Sequence, residues 1–205
     1  MYGKRLGFVT FALLLMSLDK SKYDKIILGI DPGTNIMGYG LIGVIDKKPE
    51  LISIGIIKLA QFDNHALKLK HIYERITAVV EQYLPDEVAL EAPFFGQNVQ
   101  SMLKLGRAQG VAIAAALAKN LPVFEYSPRK IKQSVTGRGA ATKEQVAGML
   151  QNIFKFEEMP KNLDATDALG AAFCHFNQFN PAGFGTKKAV NSWSSFIKEN
   201  PGKVK

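Results

Sequence analysis

Hydrophobic and polar residues alternate in blocks that describe a mixed α/β chain. Three runs rich in Ile, Val, Leu and Tyr come first, over 25–31, 38–46 and 51–59. Short apolar runs bounded by turn residues read as strands, and their short connections predict antiparallel neighbours. Pro32-Gly33-Thr34 separates the first two, which read as a hairpin. Leu67, Ile72, Ile76, Val79, Val80 and Tyr83 then recur at helical spacing, and Pro85 ends that helix. A short apolar strand over 87–90 runs into Glu91 and the segment Ala92-Pro93-Phe94-Phe95-Gly96. A second helix, crowded with small residues, is predicted over 98–119, and a strand over 121–126. Ser127-Pro128 reads as an N-cap with proline at the first helical position, opening a short helix to about Val135. Gly137-Arg138-Gly139 breaks the chain, and Thr142-Lys143-Glu144-Gln145 fits a capping box for a helix to about Phe154. A last helix begins near Leu163 and carries DATDALGAAFCHF. This order predicts an α/β fold with a mixed five-stranded sheet flanked by helices. No internal repeat and no membrane span is visible.

Composition adds a partner class. The 205 residues suit one α/β domain with a sizeable core, and 47% hydrophobic with 21% charged residues is ordinary for a globular protein. The net charge of +8 points to a polyanionic partner, nucleic acid first and an acidic membrane surface second. The single Cys174 excludes an intrachain disulfide and fits a reducing compartment. His65, His71 and His175 are scattered, so no zinc-type spacing exists. The predicted domain covers 25–179, after an extension over 1–24 and before a mobile basic tail over 180–205. The extension has a basic start and an apolar centre, as signal peptides do, but no A-x-A cleavage pattern. We read it as an upstream start chosen over Met16, which makes the expected location cytoplasmic.

Four acids stand out by position. Asp31 ends the first strand and Glu91 the fourth, and ligands bind at the carboxyl ends of parallel strands. Asp164 and Asp167 are three residues apart and share a helix face. Brought together, they would form an all-oxygen site suited to magnesium or manganese. Two such ions about 4 Å apart can activate a water and clamp a scissile phosphate. Each acid also has a purely structural alternative. Asp164 could be an N-cap, Asp167 a first-turn acid, Glu91 a lysine partner and Asp31 a turn cap.

The residues also match something specific. IILGIDPGTNIMGYGLI, the stretch from VALEAPFF through TGRGAATKEQV, and LDATDALGAAFCH resemble, in order, the RuvC family of Holliday-junction resolvases, over about 25–178. The resemblance implies a ribonuclease H-like fold, with the family's four metal-binding catalytic acids at Asp31, Glu91, Asp164 and Asp167. Some members have histidine at the third position, where this chain has aspartate. It implies two Mg2+ ions per site, with Mn2+ as a substitute. The family's junction-core aromatic falls on Phe94, with Phe95 beside it, and DNA-facing bases fall on Lys132 and Lys143, with Lys104 and Arg107 on the second helix. It further implies a homodimer that nicks two strands of a four-way junction symmetrically, leaving 5′-phosphate and 3′-hydroxyl ends. The implied partner is a branch-migration complex of the RuvA and RuvB type. Arg129, Lys130 and Arg138 extend the same basic segment, as a phosphate footprint would. A ribonuclease H acting on RNA–DNA hybrids would use the same acids. An actin-like phosphotransferase would need a second phosphate loop and a duplicated domain, which this length does not supply.

Overall fold

The structure, a computed structural model, describes residues 18–93 and 98–179. The 1–17 part of the extension, Phe94 and Phe95, and the 180–205 tail lie outside the described residues. Five strands form one sheet: β1 (Lys25–Asp31), β2 (Ile36–Ile45), β3 (Lys48–Lys58), β4 (Glu87–Glu91) and β5 (Val123–Tyr126). Their order is β3-β2-β1-β4-β5, with β1–β2 and β2–β3 antiparallel and β1–β4 and β4–β5 parallel. The expected mixed sheet is therefore present, with the ribonuclease H-like strand order. Asp46 and Lys47 both have positive φ, 49° and 62°, which is the two-residue turn that joins twisted strands. That tight turn makes β3 begin at Lys48, three residues before its apolar run.

The helices are α1 (His65–Tyr83), α2 (Val99–Leu117), α3 (Pro128–Thr136), α4 (Lys143–Phe154) and α5 (Asp164–Phe179). Local chemistry sets their ends. Asn64 caps α1, Ser127 caps α3 ahead of Pro128, and Thr142 with Gln145 completes a capping box on α4. Leu84, in the left-handed region just before Pro85, closes α1.

Side chains alternate across β1. Ile26, Leu28 and Ile30 pack against Ile72, Ile76, Val79 and Val80 of α1 and the alanines of α2. Ile27 faces the opposite layer, where α3, α4 and α5 contribute Ile131, Leu150, Phe173 and Phe176. Each such aliphatic or aromatic side chain contributes about 1.5–3 kcal/mol when buried. One expected core position fails: Leu67 is 51% exposed, and Leu69 packs on the core in its place. Leu67 stands at i and Ile72 at i+5, a step that puts Leu67 on the far side of α1 from the buried stripe.

Candidate metal and catalytic centre

The period of two that buries Ile27 sends Gly29 and Asp31 to the same face of β1. This is the face that α5 covers. A side chain at Gly29 would run into the Ala168 carbonyl, and one at Gly38 into the Asp164 carbonyl. Gly38 is the cross-strand partner of Asp31. With no Cβ at either glycine, the α5 backbone lies directly on the sheet and its first turn arrives beside Asp31. Asp164 and Asp167, at i and i+3, both belong to that turn.

Carboxylate oxygens of Asp31, Asp164 and Asp167 lie within 4.8 Å of one another. Glu91 ends β4, which runs parallel beside β1 from Ile27↔Glu87 to Ile30↔Leu90. It stands outside the trio of closest carboxylates, but its charge acts on Asp31. No side chain ion-pairs with Glu91 and none hydrogen-bonds to the Asp31 carboxylate among the described residues, so the lysine-partner and turn-cap alternatives are not realised.

Asp31, Glu91 and Asp167 are all raised above the ordinary carboxylate range. Burial, then the charges of Glu91, Asp167 and Asp164, push Asp31 up to about 8, against the pull of Lys143. Burial and Asp167 push Glu91 up to about 7, opposed by Lys143 and Lys132. Burial also raises Asp167, although Lys143 donates to it. Desolvation and like charges both disfavour the carboxylate form, and a cluster of this kind marks a functional site.

Two of the expected DNA-facing bases are found at the acids. Lys143 Nζ lies 2.5 Å from Asp167 Oδ2 and 3.8 Å from Asp164 Oδ1. Lys132, from α3, is close enough for its charge to act on Glu91 and Asp167. Lys104 and Arg107 are exposed on α2 and, with Lys68, hold the His65 imidazole below its usual range after burial. Lys68 donates to the Thr34 carbonyl and to Asn35 Oδ1, so it pins the turn that follows Asp31.

Gly29 and Gly38 are positioning residues that pattern reading passed over. Their signal, glycine in strand positions, is ambiguous until the covering helix is known. His175 was also unplaced. It is fully buried, with Nδ1 2.6 Å from the Tyr126 hydroxyl and Nε2 2.8 Å from Glu87 Oε2. A carboxylate can only accept, so Nε2 carries the proton and Nδ1 accepts from Tyr126. Burial keeps this imidazole neutral by lowering its pKa, and Lys25 closes the network on Glu87 at 2.8 Å.

The family described as "Crossover junction endodeoxyribonuclease RuvC" matches residues 27–175. The chain belongs to the RuvC family. A Cytophaga hutchinsonii RuvC is 62% identical over 182 residues, covering 89% of each chain. A Bacteroides fragilis RuvC is 58% identical, covering 89% of this chain and 97% of its own. Among solved structures, Thermus thermophilus RuvC in complex with a Holliday junction substrate aligns with a TM-score of 0.69 and 32% identity. That alignment covers 74% of this chain and 92% of the Thermus chain. RuvC membership carries the ribonuclease H-like fold with it.

Proposed function

We propose that this RuvC-family chain is a structure-specific endonuclease that resolves Holliday junctions in recombination and repair. The observation that carries the reading is the convergence of Asp31, Asp164 and Asp167, with Glu91 alongside, at the end of β1 and β4 in a chain of this family. All four donors are carboxylates, and burial together with neighbouring negative charge raises Asp31, Glu91 and Asp167; both features fit a hard divalent cation, with Mg2+ first and Mn2+ as its substitute. Bound there by Asp31, Glu91, Asp164 and Asp167, two such ions would supply Lewis-acid charge to the scissile phosphate and a more acidic water.

The chain's own residues do the rest. Asp31 and Glu91 are presented from the ends of β1 and β4, and Asp164 and Asp167 from the first turn of α5. Lys132 and Lys143 bring two cations to the same point, where they balance the acids and can orient a phosphate non-bridging oxygen. Phe94 and Phe95, just beyond Glu91, are our candidates for stacking at the unpaired junction centre, and Lys104 and Arg107 for backbone contacts. The products are nicks with 5′-phosphate and 3′-hydroxyl ends.

A homodimer completes this reading, because symmetric nicks need two sites related by a two-fold axis. The alanine face of α2 is buried against its own core. The opposite face exposes Val99, Leu103, Gly106, Gly110 and Leu117 at helical spacing, and a side chain at either glycine would meet open space. That stripe suits close packing of two copies. A branch-migration complex of the RuvA and RuvB type is the proposed partner, and the cytoplasm the proposed location. No helix among the described residues is long and apolar enough to cross a membrane.

Incubation with a synthetic four-way junction tests the reading. Paired, symmetric nicks that require Mg2+ are expected. Asp31→Asn and Glu91→Gln should each lose cutting by at least about 10²-fold while still binding the junction. Cleavage of an RNA–DNA hybrid in preference to the junction would instead make the chain a ribonuclease H.

A further inference from the structure

We infer that a cleft between Arg129 and Arg138 seats a backbone phosphate of the strand being cut, across the first turn of α4 from the carboxylates. The inference rests on the endonuclease reading and names a contact which that reading does not assign.

The cleft has a volume of about 670 Å³ and is lined by Arg129, Arg138, Gly139, Ala140, Ala141 and Gln145. Both arginines are exposed, and neither ion-pairs with a carboxylate among the described residues. Between Ser127 and Leu150 the chain carries Arg129, Lys130, Lys132, Arg138 and Lys143 against one acid, Glu144. Glu144 is engaged in hydrogen bonding at the α4 N-terminus, with its own backbone and Thr142. Lys130 lies over the Tyr126 ring at 4.9 Å, and Lys132 and Lys143 act on the acids. The two arginines are what remains, and both line this cleft.

Their placement is built. Gly139 lets Arg129 lie across the loop, because a Cβ there would sit 2.7 Å from Arg129 Cγ and 3.2 Å from Nε. The loop itself is tied down. Gly137, with φ of 76°, caps α3 through Gln133, the Arg138 amide donates to Thr136 Oγ1 at 3.1 Å, and the Ala141 amide donates to the Arg138 carbonyl. Two planar guanidinium groups, one on α3 and one on the tied-down loop, match the tetrahedral oxygens of a phosphodiester better than lysines do. Because α3 carries both Lys132 and Arg129, and the loop through Arg138 leads directly to Lys143 at the start of α4, one strand can cross both points.

The test is junction affinity by fluorescence anisotropy in chelator, as a function of salt, for the full chain, Arg129→Gln, Arg138→Gln, the double variant and Gly139→Ala. The double variant should bind about tenfold more weakly near 0.15 M salt, with the magnitude of its log–log salt slope reduced by about 1 for each protomer engaged. Linear duplex should show the same reduction, since a phosphate contact carries no sequence or branch information. Gly139→Ala keeps both charges but displaces the Arg129 stem, and it too should weaken binding. A double variant with an unaltered slope overturns the inference and leaves the cleft to some acidic protein segment. Weaker binding with an unaltered slope and a lowered melting temperature also overturns it, as that is a structural effect. If the wild-type chain neither prefers nor nicks the junction, the endonuclease reading fails first, and the inference fails with it.

Discussion

Asp31 and Glu91 take up protons at a pH where isolated carboxyls have long lost them, at about 8 and about 7 against unfolded values of about 4. The folded protein therefore binds more protons than the unfolded chain across that interval. Stability from these groups is fully present below about pH 4 and is lost as pH rises through about 7 and 8. In chelator, the melting temperature of the wild type should accordingly fall between about pH 5 and 8.5. Asp31→Asn, which removes one titrating charge from the cluster, should flatten that fall and melt about 2–5 °C higher than wild type at pH 8. Differential scanning fluorimetry across pH measures both, and a wild-type profile that rises with pH would contradict the electrostatics described here. The same variant is the one expected to lose cutting, so stability and activity should move in opposite directions.

Element-scale precision depends on how α5 sits. Its first turn carries Asp164 and Asp167, and its distance from Asp31 is set by the missing side chain at Gly38. Gly38→Ala forces the Asp164 carbonyl away, and a shift of about 1 Å in a reacting constellation costs on the order of 10² in rate. We expect single-turnover cleavage to drop by that factor, with junction affinity kept. Gly29→Ala meets the Ala168 carbonyl in mid-helix and should lower the melting temperature more than Gly38→Ala does. The α4 cap offers a gentler probe. Thr142→Ala removes the side chain that accepts from the Gln145 amide and should cost about 1 kcal/mol, seen as a shift of about 2–4 °C in melting temperature. It loosens the turn that delivers Lys143 to Asp167, so cleavage should fall by more than the small stability loss explains.

At the scale of the whole molecule, the layers leave one helix face uncovered. Val99 is 66% exposed, Leu103 52% and Leu117 55%, on the side of α2 that does not touch its own core. Leu103→Glu places a charge in the middle of this stripe and should shift a dimer to monomer in sedimentation at micromolar concentration. Junctions treated with that variant should show unpaired single nicks. A dimer unaffected by Leu103→Glu would move the two-fold contact elsewhere.

Much of this was legible before any fold was known. Strand alternation, helical spacing and the cap residues are local signals that short-range sterics and hydrogen bonds enforce, so element order and the caps at Ser127 and Thr142 follow from the chain itself. The four acids were visible because each ends a strand or opens a helix. The exposed Leu67 shows how a loose reading of the period errs: an i,i+5 step from Ile72 leaves the stripe, which Leu69 continues instead. Convergence belongs to tertiary structure. Asp31 and Asp164 are distant in sequence, and only the packing of α5 onto Gly29 and Gly38 brings them together. The upward shifts of Asp31 and Glu91, the seating of Lys143 between two aspartates, the burial of His175 and the Arg129–Arg138 cleft all depend on that packing. Sequence alone determined which chemical groups this protein carries and on which elements. The tertiary structure decided their separations, and electrostatic energy, which depends on separation and burial, turns four ordinary acids into one site.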